Sequence, residues 1–297
     1  MRALKGVIPV LLTPLTADGD IDVKSLIELV HYLNGKDIGG FWVLGTGSED
    51  MNLTFKQRVL VANTVCEANA GKSPIILGAG FFSMQETLDF IDATAHLEFD
   101  AYHVMPYHPL LSLDRIEWMY KKIADYAHKP LWMYTSANWA RFIPPNFIKR
   151  MKDYPNIAGV KFSTSNAVHV EQVISMASDN FQVLTAVVRT FYSNLCMGVK
   201  AATTVEACPF VDEITKIYRE FESGDLESSL LSQKKLNRAL EDMPTSISKD
   251  NFFRVAEGKY ILSLKGLCTP VMSSYYREVS EEEGNEIRNT LIKHNII

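Results

Sequence analysis

The sequence predicts an α/β fold: a (β/α)8 TIM barrel followed by a C-terminal helical appendix. Segments with helical apolar spacing, such as Leu26, Leu29, Val30 and Leu33, alternate with short apolar runs along the 297-residue chain. Near-continuous hydrophobic strands that alternate with helices are typical of a parallel sheet covered on its outer face. Eight such runs match a barrel, which needs about 250 residues. The runs lie at 6–14, 39–45, 74–80, 101–107, 130–136, 158–164, 181–187 and 201–207.

Helix starts carry recognisable capping residues. A capping box pairs a hydroxyl residue with Glu or Gln three positions later, and proline suits the first helical turn. These signals occur at Thr54 with Gln57, Ser83 with Glu86, Ser280 with Glu283, and Pro144-Pro145.

The chain after residue 207 predicts helices in place of strands. Apolar spacing indicates helices at 210–221, 226–241, 249–264 and 281–294. We expect the first to complete the barrel, which then spans 1–222. The other three form a helical region at 223–297, and no Pro/Gly/Ser-rich linker separates it, so we expect it to pack on the barrel.

A doubly wound parallel sheet is the structural alternative. Such a fold normally shows a glycine-rich phosphate loop after an early strand. Gly78-Ala79-Gly80 does not complete the GxGxxG pattern and is more typical of a tight turn between strand and helix. The barrel is therefore favoured.

Composition excludes several classes of function. A net charge of −5 provides no basic surface for nucleic acid, and no run of eighteen apolar residues predicts a membrane span. The N-terminus imitates a signal peptide only weakly, because Pro9 comes early and no cleavage site follows. Four scattered cysteines favour reduced thiols in the cytoplasm, and seven histidines without ligand spacing predict no metal site.

A single lysine lies in the apolar run 158–164. Since side chains alternate along a strand, Lys161 shares one face with Gly159 and Ser163, while Val160 and Phe162 share the other. Lysine is rarely buried without a reason. Two interpretations stay open from position alone: the amine reaches water at the strand end, or it is functional.

Two further groups converge on the same end of the predicted barrel. In this fold the active site lies at the carboxyl ends of the strands. Alternation places Tyr134 at nearly the height of Lys161 on the neighbouring strand, about 4.8 Å away. Across the barrel, the glycines and hydroxyls of residues 45–49 offer donors to an anion. A core tyrosine and an ordinary turn are the structural alternatives.

These motifs carry a family resemblance. The segments 45–49, 105–107 and 159–163, together with Tyr134, resemble in order and spacing the dihydrodipicolinate synthase/N-acetylneuraminate lyase family, over nearly the whole chain. The resemblance implies a barrel that forms a Schiff base with pyruvate, needs no cofactor beyond the lysine imine, and assembles as a homotetramer, a dimer of dimers. It implies Lys161 as the imine lysine and Tyr134 as the proton relay. It places Thr46, Gly47 and Ser48 at the pyruvate carboxylate, and it places a backbone carbonyl of strand eight, at Thr203, facing the keto acid.

Several positions depart from the family pattern. The loop usually runs Gly-(Ser/Thr)-Thr-Gly-Glu, whereas here Gly47 precedes Ser48. After Tyr107 the synthase branch has a second tyrosine, contributed across a subunit interface, but this chain has His108. The arginine that holds the second substrate in that branch has a loose counterpart in Arg141. The sialic-acid branch has glycine and acidic residues where this chain has 186–188.

The sequence therefore predicts a class I aldolase that cleaves a 2-keto-3-deoxy sugar acid to pyruvate and an aldehyde. Neutral Lys161 would attack the ketone, which requires its pKa to fall to about 7–8. Tyr107 and His108 are expected to line the site, and Asn138, Trp139, Arg141 and Glu206 to contact the sugar hydroxyls. Three alternatives stay open: condensation of pyruvate with aspartate semialdehyde, dehydration of a 2-keto-3-deoxy acid, and a catalytically silent barrel.

Overall fold

Eight parallel strands form a closed barrel. The structure is a computed structural model that describes residues 1–136, 140–251 and 254–297. The strands follow the order β1-β8-β7-β6-β5-β4-β3-β2, and a parallel bridge between Val10 and Trp42 joins the first two strands. The predicted (β/α)8 barrel is confirmed. The strands are β1 (Gly6–Pro9), β2 (Phe41–Val43), β3 (Ile75–Gly78), β4 (Ala101–Val104), β5 (Leu131–Ser136), β6 (Ile157–Ser163), β7 (Gln182–Thr185) and β8 (Ala201–Thr204).

Helices cover the outer face of the barrel and continue beyond it. At α2, Thr54 Oγ1 accepts the Gln57 N–H at 3.2 Å, and Gln57 Oε1 accepts the Thr54 N–H at 2.9 Å. The predicted capping box therefore forms at the start of α2. The helices are α1 (Val23–Asn34), α2 (Phe55–Asn69), α3 (Met84–Ala93), α4 (Leu113–Tyr126), α5 (Pro145–Met151), α6 (Ala167–Ile174), α7 (Phe191–Cys196), α8 (Val211–Glu222), α9 (Leu226–Glu241), α10 (Ile247–Asp250), α11 (Val255–Leu264) and α12 (Glu281–Lys293).

Two of the other helix starts were also predicted correctly. The Ser280 and Glu283 box forms at α12, and the proline pair begins α5. At α3 only half of the predicted box forms: Ser83 accepts the Glu86 N–H at 3.3 Å, and the structure shows no return bond from Glu86.

The predicted single helix at 249–264 is wrong. The segment contains the end of α10 and all of α11, and Asn251 between them is extended, with φ −116° and ψ 167°. The Asn251 side chain donates to Arg277 O at 2.6 Å and accepts the Arg277 N–H at 2.9 Å. An asparagine that bonds to distant backbone in this way competes with helical continuation.

Residues alternate between two apolar layers. On β5, Trp132 and Tyr134 point into the barrel, whereas Leu131 and Met133 contact the helices. The inner layer is continued by Ile8, Trp42, Ile76, Ala101, Leu184 and Ala201. Side-chain alternation thus separates the interior, which carries the polar groups described below, from the layer that holds the helices.

The C-terminal helices share the outer core of the barrel. Leu236, Ile261 and Ile287 are buried in the cluster that includes the helix-facing strand residues. Thr269 Oγ1 also donates to Leu15 O at 2.6 Å. The boundary after residue 222 stays a prediction. Within the described residues, no helix has the length and apolar character needed to cross a membrane.

Candidate active site at the mouth of the barrel

Lys161 points into the barrel from β6. Its side chain is buried, with 4% exposed, so the amine does not reach bulk water. Neighbouring Gly159 is required by packing, because a Cβ there would lie 2.8 Å from the Trp132 ring and 2.5 Å from Gln182 O. The absence of a side chain at Gly159, on the same face of β6 as Lys161, therefore makes room for the Trp132 indole.

Aromatic rings form the base of the site. We call Trp42, His103 and Trp132 the aromatic floor. Trp42 stacks on His103 with centroids 4.1 Å apart and meets Trp132 edge-on at 6.2 Å. Lys161 Nζ lies 5.0 Å from the Trp42 ring centroid. Burial and the charge of Lys161 lower the pKa of His103 well below its usual value, so this imidazole is neutral. The floor therefore surrounds the amine with uncharged groups.

Burial changes the protonation of Lys161. Desolvation lowers its pKa from 10.5 to about 7, while the carboxylates of Asp50 and Glu206 oppose the shift. The shift corresponds to roughly 5 kcal/mol against the ammonium form. Near pH 7 a large fraction of the amine is therefore neutral, which is the form that attacks a carbonyl carbon.

Tyr134 lies directly beside the lysine. The two residues are register partners on β5 and β6, as the alternation predicted, and Lys161 Nζ lies 4.3 Å from the phenol ring centroid. Burial raises the pKa of Tyr134, so the phenol is protonated at neutral pH. Its oxygen lies 3.4 Å from Thr46 Oγ1. A phenol in hydrogen-bond contact with a second hydroxyl can pass a proton without becoming exposed.

The loop after β2 forms a buried 3₁₀ turn at Thr46–Ser48. Ser48 Oγ accepts the Gly45 N–H at 3.3 Å, which leaves the Ser48 hydroxyl proton to donate. Gly47 packs against β8, and a Cβ there would lie 2.3 Å from Val205 Cγ2. Close packing therefore explains why glycine stands at this position.

β8 and the loop after it line the mouth next to the Thr46–Ser48 turn. Thr203 is buried, and its Oγ1 has no hydrogen-bond partner among the described residues. A buried hydroxyl without a partner is costly, so Thr203 is suited to bonding a ligand. Glu206 follows in the next turn, is half-buried, and acts electrostatically on Lys161.

Other predicted residues lie apart from this cluster. His108 and Arg141 are exposed, and the Arg141 N–H donates to Pro106 O at 3.4 Å. The structure therefore does not bring these two side chains to Lys161. Asn138 and Trp139 lie outside the described residues.

The sequence reasoning missed a buried charge pair beneath the loop. Tyr107 donates its hydroxyl to Asp50 Oδ2 at 2.5 Å, and Arg58 Nη2 lies 4.0 Å from the same oxygen. Arg58 also donates to Gly80 O at 2.8 Å and to Gly78 O at 3.1 Å. Asp50 follows the recognised loop directly, which was the available signal, whereas no spacing pointed to Arg58. Tyr107 was predicted to line the site, which stays a prediction, and in the structure its hydroxyl binds this carboxylate.

Replacing Asp50 by asparagine is expected to move the acid limb of activity to lower pH. Its carboxylate stabilises the Lys161 ammonium, so removing the charge lowers the pKa of the lysine further. The neutral amine then persists at lower pH. The measurement is the pH dependence of kcat/KM. Glu206→Gln should shift the limb in the same direction by less, because Glu206 acts on Lys161 more weakly. An unchanged limb in Asp50→Asn would contradict this assignment.

No metal centre is visible in the part of the chain that the structure describes: no three His, Cys, Asp or Glu side chains gather there closely enough to hold an ion. The polar groups around Lys161 are hydroxyls and the carboxylates of Asp50 and Glu206. These groups suit the binding and proton transfers of an organic acid.

Comparison with known proteins agrees with this geometry. The model of the dihydrodipicolinate synthetase family matches residues 3–294. A 4-hydroxy-tetrahydrodipicolinate synthase of Listeria monocytogenes is 25% identical over 294 residues, 97% of this chain and 98% of that protein. The dihydrodipicolinate synthase structure from Bacteroides thetaiotaomicron has TM-score 0.91 and 22% identity over 99% of this chain and 100% of that chain. An N-acetylneuraminate lyase structure from Mycoplasma synoviae has TM-score 0.86 and 22% identity, covering 98% of each.

Proposed function

Because this chain belongs to the dihydrodipicolinate synthetase family, a family of pyruvate-dependent lyases and synthases, we propose that it is a class I aldolase. In this proposal it cleaves a 2-keto-3-deoxy sugar acid to pyruvate and an aldehyde. The observation that carries the proposal is the buried Lys161, whose pKa falls to about 7 beside the Tyr134 phenol. An amine held neutral next to a proton donor is what imine formation with a keto acid requires.

The mechanism follows from the positions of these groups. Neutral Lys161 attacks the C2 ketone, and loss of water gives a protonated imine that accepts electrons as the C3–C4 bond breaks. Tyr134 donates and accepts protons in these steps, and its contact with Thr46 extends the path. The hydroxyl of Ser48 and the loop around it bind the substrate carboxylate. Thr203, whose buried hydroxyl has no partner among the described residues, contacts the substrate from β8.

The residues at the exposed positions 108 and 141 favour a hydroxylated aldehyde as the second product. A semialdehyde with its own carboxylate needs a well-placed cation, and a bidentate arginine contact loses strength with a small displacement. Arg141, the loose counterpart of that arginine, is exposed, and His108 stands in place of a proton-relaying tyrosine. Sugar hydroxyls can be bound by neutral groups or by Glu206.

Cleavage of five- and six-carbon 2-keto-3-deoxy acids is therefore expected to exceed condensation with aspartate semialdehyde. Loss of one buried charge-assisted contact lowers kcat/KM by about 30- to 1000-fold. The measurement compares kcat/KM for both reactions in coupled assays. If the semialdehyde is preferred by about tenfold or more, a factor worth about 1.4 kcal/mol, the synthase reading replaces this one.

The alternatives give distinct results in the same experiments. The synthase alternative is supported by the name of the Listeria relative. A dehydratase would consume the keto-deoxy acid without releasing pyruvate, because it breaks a C–O bond and no C–C bond. A silent barrel would fail to form a borohydride-reducible adduct with pyruvate. Each outcome therefore identifies one of the candidate functions.

Homotetrameric assembly and a cytoplasmic location stay predictions. Phe82 is 61% exposed and stacks on Tyr107, and Leu110, three residues after Tyr107 in the chain, is 86% exposed. These apolar side chains support an interface between copies at this face. Sedimentation of the purified protein tests the assembly.

A further inference from the structure

The loop that follows β2 is bounded by two strained residues. Leu44 and Glu49 both adopt positive φ, 54° and 60°, although neither is glycine. The left-handed region is sparsely populated by such residues, which stay there only where surrounding contacts hold them. Between them lie Thr46 and Ser48, so the strain brackets the segment that offers hydroxyls to the substrate.

The contacts that hold Glu49 come from the C-terminal region. Its carboxylate forms an ion pair with Lys259 of α11, and both side chains are fully buried. Glu49 Oε2 also accepts the Ser273 N–H at 2.8 Å, and Lys259 Nζ donates to Val271 O at 2.8 Å. We call Lys259, Val271 and Ser273 the C-terminal clamp. A second bond joins Asn52 Nδ2 to Ser273 Oγ at 2.8 Å.

Stability alone does not account for a buried ion pair. Removing two charges from water costs more than their attraction often returns, and apolar residues of similar volume stabilise a core equally well. The pair instead fixes the orientation of the Glu49 carboxylate. Its Oε1 pairs with Lys259 and its Oε2 accepts the Ser273 N–H, so the two oxygens are held by separate segments. Glu49 lies between Ser48 and Asp50, so fixing its backbone fixes both neighbours. One of these is placed at the substrate carboxylate, and the other acts on Lys161.

We propose that Lys259 is a positioning residue that, through Glu49, holds the loop in the shape that receives the carboxylate of a keto acid. The helical region after the barrel is then part of the substrate-binding apparatus. This inference rests on the proposed function, since the ligand is the pyruvate unit. Lys259 itself does not touch the substrate and acts only through Glu49.

The first test replaces both members of the pair. In Glu49→Gln/Lys259→Met the volumes are nearly kept and no unpaired charge remains. The pyruvate concentration giving half-maximal borohydride inactivation is expected to rise by about tenfold or more, because misplacement of binding groups is costly. The maximal inactivation rate should stay within about threefold, since Lys161 and Tyr134 are unchanged.

A more exposed pair in the same C-terminal region provides the control. Arg277 and Glu283 form an ion pair at 2.7 Å, and the hydrogen bonds described for their side chains go to Ser246, Asp250, Glu278 and Ser280, not to the loop. Arg277→Met/Glu283→Gln should therefore leave the half-maximal pyruvate concentration unchanged. If the Glu49/Lys259 double variant behaves like this control, the clamp is only structural and the proposal is wrong.

A second test uses the unaltered chain, so it is decisive even if a variant fails to fold. Coupling is reciprocal, so a ligand fixed on the loop must stabilise the clamp. After borohydride reduction with pyruvate, amide hydrogen exchange at Ser273 is expected to slow. The Ser280 N–H, which donates to Glu283 Oε2 at 3.0 Å, should not change. Slower exchange at the loop without any change at Ser273 would overturn the inference. Wild-type protein that forms no adduct would instead contradict the proposed function.

Discussion

Lys161→Ala is expected to abolish turnover and to lose all borohydride-dependent labelling by pyruvate. In the proposed mechanism the Lys161 amine is the nucleophile, and alanine leaves no group that forms an imine. In the unaltered protein, the reduced adduct mass should appear on the peptide that contains Lys161. Lys161→Arg should fail equally, because a guanidinium stays protonated even in a site that lowers the pKa of an amine to about 7.

Lys200 is the matched control for this experiment. It is an exposed lysine just before β8, at the end of the barrel away from the mouth. Lys200→Ala should keep both turnover and labelling. Adduct mass on the Lys200 peptide, or active protein without any adduct, would show that Lys161 is not the imine residue.

Tyr134→Phe is expected to lower kcat by about 10²–10⁴-fold, the usual loss when one positioned acid–base group is removed. The ring keeps its volume and its packing beside Trp42, whose centroid lies 5.8 Å away. The thermal midpoint should therefore change little. The measurements are kcat for the aldehyde-releasing reaction and thermal unfolding of the same preparation.

Tyr102 provides the comparison for a tyrosine with a structural role. It is fully buried in the layer that contacts the helices, and its hydroxyl donates to Ile91 O at 3.1 Å. Tyr102→Phe leaves that carbonyl without this donor, so it should lower the thermal midpoint and leave kcat nearly unchanged. If Tyr134→Phe follows the same pattern, Tyr134 is a packing residue.

The parts of the site that follow from local periodicity were predictable. Alternation along two neighbouring strands was enough to place Lys161 beside Tyr134, because strand register fixes relative height. The burial of Lys161 could not be predicted from the sequence of its own strand. It depends on Trp42, whose ring lies near the amine, and on Trp132, whose ring packs against Gly159, both from other strands.

Contacts between distant segments were beyond the sequence reasoning. The Glu49–Lys259 pair joins a loop after β2 to a helix near the C-terminus, and Lys259 looked like any exposed lysine. The Asp50–Tyr107 bond likewise depends on how two loops meet at the mouth. The break at Asn251 was missed for the same reason, since its partner Arg277 lies far along the chain. Helical spacing records local preference only.

The aromatic floor has an evolutionary consequence. It lies below the lysine, whereas the loops that face an incoming aldehyde lie above it. In the proposed function, the neutrality of the amine depends mainly on the floor, and the choice of substrate depends on loop residues other than Asp50 and Glu206, which also act on Lys161. Mutations at those other loop positions can therefore exchange one aldehyde for another while the reactive lysine keeps its environment. A lineage built on this barrel can diversify its substrates without passing through inactive ancestors, because the two inherited traits reside in different layers of one interior.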